Sequence, residues 1–149
     1  MEALPSTVAY LFGRRTYDEL AAFWPFQSDD SPMAAHLNHT TKHVATHQDK
    51  PLDWANSRRL DGDLIEAVTR LNATVNGNIA VLGSGNLVEQ LLDADLPDAF
   101  ALFVHPLVLG GGRQLFPRHD RRVELELDDV GRTSTGVVML SYTRRRGSP

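Results

Sequence analysis

Two short glycine-containing stretches, Gly13-Arg14-Arg15-Thr16 and Gly83-Ser84-Gly85-Asn86, hold the residue types best suited to chemistry in this chain, and that chemistry is anion binding. Each follows an apolar run that reads as a buried strand, Val8-Ala9-Tyr10-Leu11-Phe12 and Ile79-Ala80-Val81-Leu82. Each also precedes a helical pattern with a capping-box spacing, Thr16 to Glu19 and Asn86 to Glu89. A strand that ends in glycine and turns into a helix presents backbone N–H groups and the positive end of a helix dipole. Phosphate binds at such an end. Arg14 and Arg15 add fork-shaped donors beside the first turn. Either turn alone reads more readily as a tight connection, and it is the two together that point to one phosphate site. The dinucleotide fingerprint Gly-x-Gly-x-x-Gly is not met, because Val88 stands at the third glycine.

Other chemistries find little material. With no cysteine, the chain has no disulfide, thiolate metal site or thiol nucleophile. His36, His39 and His43 have helix-like spacing, but Thr40-Thr41 ends the helix that starts at Pro32, so His43 belongs to the next strand and no metal site is expected. His105 ends an apolar strand, where ligands of open α/β sheets bind, and is matched equally well by a structural histidine. Gly110-Gly111-Gly112 reads as a substrate-side approach or as a flexible turn. No Ser-His-Asp order or nucleophile elbow can be assembled. The net charge of -4, with arginines in scattered pairs, argues against nucleic-acid binding. No run approaches membrane-spanning length and no signal peptide is visible at Met1-Glu2-Ala3-Leu4-Pro5, so a cytoplasmic protein is expected.

The elements that must position these residues follow from periodicity. Asp29, Asp30 and Ser31 precede Pro32 at the first position of a short helix reaching about Asn38. Lys42 to Thr46 reads as a strand, and Trp54 to Leu60 as an irregular stretch ending in a short strand. Asp63 and Glu66 cap a helix with Leu64, Val68 and Leu71 on one face, and Asn76-Gly77-Asn78 turns into the strand at Ile79. Phe100 to Val104 is apolar on both faces, as expected of a central strand, and a hairpin follows around Gly131 to Gly136. This order predicts one α/β domain over residues 1–149, with a mostly parallel sheet and an antiparallel edge.

Four segments in this order resemble a known family: Leu11-Phe12-Gly13-Arg14-Arg15-Thr16-Tyr17, the strand ending in Thr46-His47, Val81-Leu82-Gly83-Ser84-Gly85-Asn86-Leu87-Val88, and Pro106 to Pro117 with its Gly110-Gly111-Gly112-Arg113 core. Together they are similar to the dihydrofolate-reductase-like family, most closely the branch of the reductase domain of riboflavin biosynthesis. The resemblance implies a three-layer αβα fold, a mixed sheet with a C-terminal antiparallel hairpin, a homodimer, and NADPH-dependent reduction of a small pteridine-like or pyrimidine-like heterocycle. It implies that Gly13, Arg14, Arg15 and Thr16 hold the cofactor pyrophosphate and approach the adenosine 2′-phosphate. Thr46 and His47 would flank the adenosine end, with Gly83, Ser84, Gly85, Asn86 and Leu87 covering the pyrophosphate from the other side. No catalytic residue can be named.

Two departures stand out. Thr46-His47 replaces the Ser-Arg usual in this branch, and histidine is only partly charged at neutral pH, which weakens selection for the 2′-phosphate. Family members also begin with a further strand, a loop over the nicotinamide and a helix, and this chain starts near the end of that helix. The strand concerned lies between those corresponding to Ile79–Leu82 and Phe100–Val104. The alternative expectation is therefore a non-catalytic nucleotide-binding protein that keeps only the adenosine and pyrophosphate half of the site.

Overall fold

The computed structural model describes residues 7–82, 85–112, 116 and 122–145, and it divides into two compact units, Met1–Val88 and Glu89–Pro149. Gly83, Ser84, Arg113 and Pro117 lie outside the described residues. The strands are β1 (Thr7–Gly13), β2 (Thr41–Ala45), β3 (Ser57–Arg59), β4 (Asn78–Val81), β5 (Ala99–Val104), β6 (Leu125–Arg132) and β7 (Val138–Arg144). The helices are α1 (Arg14–Ala21), α2 (Pro32–His39), α3 (Leu64–Thr74) and α4 (Gly85–Asp93). Among the described residues no helix is long and apolar enough to cross a membrane.

In the first unit the strands form a parallel sheet in the order β3-β2-β1-β4. β1 sits inside it, and from Ala9 to Phe12 it is apolar and buried on both faces. Tyr10 and Phe12 point to a cluster with Tyr17 of α1, Leu37 of α2, Val44 and Trp54. Ala9 and Leu11, which alternate with them, are equally buried. Val8 is the exposed exception, at the point where the β1–β4 register shifts.

Two helices carry side-chain N-caps, at Asp63 as read from the sequence and at Ser31, just before the expected Pro32. Ser31 Oγ accepts from the Ala34 N–H with Pro32 at the first helical position, and Asp63 Oδ2 accepts from the Glu66 N–H at 3.1 Å. The start of α1 differs from the expected capping box. β1 remains paired through Gly13, opposite Ala45, and the chain enters the helix at once, with Gly13 as N-cap and Thr16 already inside. Asn86 likewise lies within α4, which begins at Gly85.

The α2 C-terminus is closed by a buried lysine. Lys42 has no exposed surface, and its Nζ donates to the Leu37 carbonyl at 2.6 Å and the Thr40 carbonyl at 2.9 Å. The ammonium also lies 4.5 Å from the centre of the Trp54 ring. Carbonyls that a helix end leaves without partners are thus satisfied by a cation at the negative end of the dipole.

The second unit is an antiparallel sheet in the order β5-β7-β6, and β6–β7 is the expected C-terminal hairpin. The parallel and antiparallel strands expected in one mixed sheet thus lie in two sheets. β5, expected as a central strand, is an edge strand: among the described residues it is paired only with β7, and Phe103 and Val104 are exposed. Its apolar pattern reports side-chain character and not the number of hydrogen-bonded neighbours.

Burial pulls Lys42 from its ordinary 10.5 down to about 8. The unfolded chain restores the ordinary value, so above about pH 8 the unfolded state binds more protons and stability rises with pH. Burial also raises the Tyr10 phenol above its ordinary value, which keeps the folded-state phenol protonated through this window. Wild type should therefore gain on the order of 1–2 kcal/mol between about pH 8 and 9.5, and Lys42→Met should lose that gain. Guanidinium denaturation across this range checks it, and equal slopes for the two proteins would refute it.

Candidate functional site

The parallel sheet brings the carboxyl ends of β1, β2 and β4 to one edge, and most of the candidate residues that are described follow directly from those ends. Gly13 closes β1 opposite Ala45, the last residue of β2, so Thr46-His47 begins beside the start of α1. β4 lies on the other side of β1, with Leu11 opposite Val81, and leads towards Gly85 and Asn86 at the start of α4. Two helix N-termini therefore follow two adjacent parallel strands, the arrangement in which open α/β sheets bind ligands.

Gly13 adopts φ -73° and ψ 162°, a conformation open to any residue, so the backbone itself does not demand glycine there. What glycine contributes is a helix start with no side chain standing over the first-turn N–H groups. Arg14 and Arg15 occupy the next two positions, and α1 has no acidic residue in its first turn. Two cations at the positive end of a dipole oppose helix stability. Each is offset one turn on, Arg14 Nε by Asp18 at 3.0 Å and Arg15 Nε by Glu19 at 3.4 Å.

The two arginines diverge beyond that point. The Arg15 side chain is 65% exposed and faces water together with its partner. The Arg14 side chain is 8% exposed and turns onto the β2–β3 connection, where Nη1 donates to the Lys50 carbonyl at 3.1 Å and Nη2 makes a longer contact with the Pro51 carbonyl at 3.5 Å. From the same helix, the Tyr17 hydroxyl accepts from the Trp54 N–H at 3.0 Å. Thr46 Oγ1 accepts from the Gln48 N–H, Arg59 donates to the Gln48 carbonyl, and His47 is exposed. Leu87 is buried at 4% exposure, which makes it a packing residue of α4. The same connection walls an open cleft of about 770 Å³ that reaches Asp18, Phe26 and Asn38.

The histidines stand apart from one another. His36 Nδ1 hydrogen-bonds the Tyr10 hydroxyl at 2.7 Å, His39 pairs with Asp29, and His43 lies on β2, its pKa lowered by burial and by Arg58. Among the described residues no group of three histidine or acidic side chains could hold a metal. Sequence reasoning missed the hold of Arg14 and Tyr17 on the connection, since their partners are backbone groups 36 and 37 residues away.

Comparison with known proteins gives the family and the fold. The sequence matches the RibD C-terminal domain over residues 9–139. It is 25% identical over 135 residues to the uncharacterized protein YyaP of Bacillus subtilis (strain 168), covering 89% of this chain and 71% of that protein. Among solved structures it resembles a putative riboflavin biosynthesis protein from Shewanella sp. PV-4 (TM-score 0.74, 20% identity, 97% of this chain and 78% of that one). It also resembles dihydrofolate reductase from Enterococcus faecalis complexed with NADP(H) and RAB-propyl (TM-score 0.63, 16% identity, 93% and 74%). At these identities the structures establish the fold.

Tyr17→Phe should test the second tie to the connection. It removes the acceptor of the buried Trp54 N–H and should cost about 1–3 kcal/mol. Urea denaturation measures the loss, and native-state hydrogen exchange should show faster exchange at the Trp54 amide. An unchanged amide would refute the tie.

Proposed function

Because the chain belongs to the RibD C-terminal domain family, which it matches over residues 9–139, we propose that it is an NADPH-dependent reductase of a small pteridine-like or pyrimidine-like heterocycle. The observation that carries the reading is the adjacency of the parallel strands β1 and β4, each followed in the chain by a helix, with Arg15 exposed at the start of the first. NADP(H) carried by the dihydrofolate reductase relative supports the same cofactor class.

The residues present fit a pyrophosphate group. Gly13 places no side chain over the first turn of α1, Arg15 supplies exposed positive charge, and Gly85 and Asn86 start the second helix. Thr46 and His47 stand at the end of β2, next to β1, where an adenosine 2′-phosphate would be received. When bound, the cofactor supplies the hydride. The chain's part is to fix the phosphates by backbone donors and one cation, and so to hold the reacting end in a constant position.

Titration calorimetry with NADPH and NADH tests the reading, followed by NADPH oxidation assays with pterin, pyrimidine and flavin-pathway substrates. Arg15→Ala should weaken NADPH by about 1–2 kcal/mol through loss of a charge-assisted contact. Its melting temperature should hardly change, because the exposed pair with Glu19 contributes little to stability. His47→Ala should narrow the preference for NADPH over NADH. No heat with NADPH at millimolar concentration would refute the proposal, and binding without turnover on every substrate would favour a nucleotide-binding protein without catalysis.

A further inference from the structure

We propose that Arg14 is a positioning residue: it shapes the β2–β3 connection that receives the adenosine end of the cofactor and does not itself contact phosphate. The inference rests on the reading of the site as an NADPH site and departs from the role that the motif Gly13-Arg14-Arg15-Thr16 suggests for both arginines.

The argument begins with where the charge is used. Arg14 Nε is engaged by Asp18, Nη1 by the Lys50 carbonyl and Nη2 by the Pro51 carbonyl, with the side chain 8% exposed and its guanidinium carbon 5.7 Å from the Tyr17 ring centre. A guanidinium that turned away to meet a phosphate would give up its bonds to Asp18 and the Lys50 carbonyl and leave the buried place it holds against Tyr17. Arg15, one residue on, is 65% exposed and can reach an anion without giving up any buried contact. The two arginines therefore divide the work, one as mobile charge and one as a fixed brace.

What the brace holds is defined. Residues 46–56 join β2 to β3 without regular structure. The connection is held at the Gln48 carbonyl by Arg59, at the Lys50 and Pro51 carbonyls by Arg14, at the Trp54 N–H by Tyr17, and at the Asn56 carbonyl by the Lys42 N–H at 2.7 Å. The only side chain among these that reaches the middle of the segment, at 50 and 51, is that of Arg14. The guanidinium bonds the Lys50 carbonyl at 3.1 Å with a longer contact to the next carbonyl at 3.5 Å while its Nε stays on Asp18, a spread of donors that a lysine ammonium cannot reproduce. Because Thr46 and His47 open this segment, its order is what fixes them beside α1 before any ligand arrives. A preordered loop binds more tightly because less freedom is lost on association.

The experiment compares Arg14→Ala, Arg14→Lys and Asp18→Asn with wild type. Hydrogen exchange at the amides of residues 48–54 in the cofactor-free protein reads the brace directly. Calorimetry with 2′,5′-ADP and NADPH at two salt concentrations reads its effect on the site. Both Arg14 variants should exchange faster in this segment and bind 2′,5′-ADP about tenfold more weakly. Their salt dependence should match wild type, since no phosphate contact has been lost. Asp18→Asn, which keeps the arginine and loosens its aim, should lose about threefold. If Arg14→Ala does not fold, the other two variants carry the test.

Wild-type affinity in Arg14→Lys together with weak binding in Arg14→Ala would show a simple charge contact and overturn the proposal. A reduced salt dependence in Arg14→Ala would do the same. If wild type binds neither ligand, the NADPH reading fails by itself. The exchange data then judge Arg14 separately, and unchanged exchange in Arg14→Ala would refute the brace.

Discussion

The ammonium of Lys42, buried at the C-terminus of α2 and against the face of Trp54, is the interaction on which the first unit depends. An isolated buried cation is very unfavourable, so its neighbours have to be arranged around it. The Leu37 and Thr40 carbonyls accept from Nζ, and Trp54 is held edge-on by Asn38 Oδ1 at 2.7 Å from its indole nitrogen. Asn38 in turn donates to the Trp24 carbonyl, while Asn56 donates to the Asn38 carbonyl. One buried amine and the asparagines around it thus link the end of a helix, the packing of a tryptophan and the entry to β3.

That arrangement reaches the candidate site through Trp54. Its ring stacks at 4° on Phe12, the residue before Gly13, and its backbone N–H is held by Tyr17 of α1. The strand that ends in Gly13, the helix that starts after it and the connection from β2 are therefore coupled through one aromatic side chain. Rigid support behind a binding edge is what a site needs when it must hold a flexible ligand at a constant position. Arg15 and His47 stand exposed in front of these buried groups.

Much of this was legible in the sequence wherever a local rule applied. Ser31-Pro32 and Asp63 announce helices through side-chain bonds to N–H groups three residues away, and the structure has those bonds. The start of α1 was misread because a Thr-x-x-Glu spacing also arises inside a helix, and Gly13 has no side chain with which to mark the cap. Lys42 was invisible for a related reason. Alternation along Thr41–Ala45 shows that two faces exist, but not that the face with the lysine is the buried one. The two strand–glycine–helix segments were legible one by one, whereas the β1–β4 adjacency comes from a chain that runs out through β2 to β3 and crosses back to the other side of β1.

The burial of Lys42 also makes this protein unusual toward reagents that attack amines. The sequence holds only two lysines, Lys42 and Lys50, and of these only Lys50 meets solvent. Acylation of side-chain amines in the folded state is therefore confined to Lys50. Modification at Lys42 requires the end of α2 to lift from Trp54, so the rate at which that amine is acylated counts local openings of the element that the rest of the unit leans on.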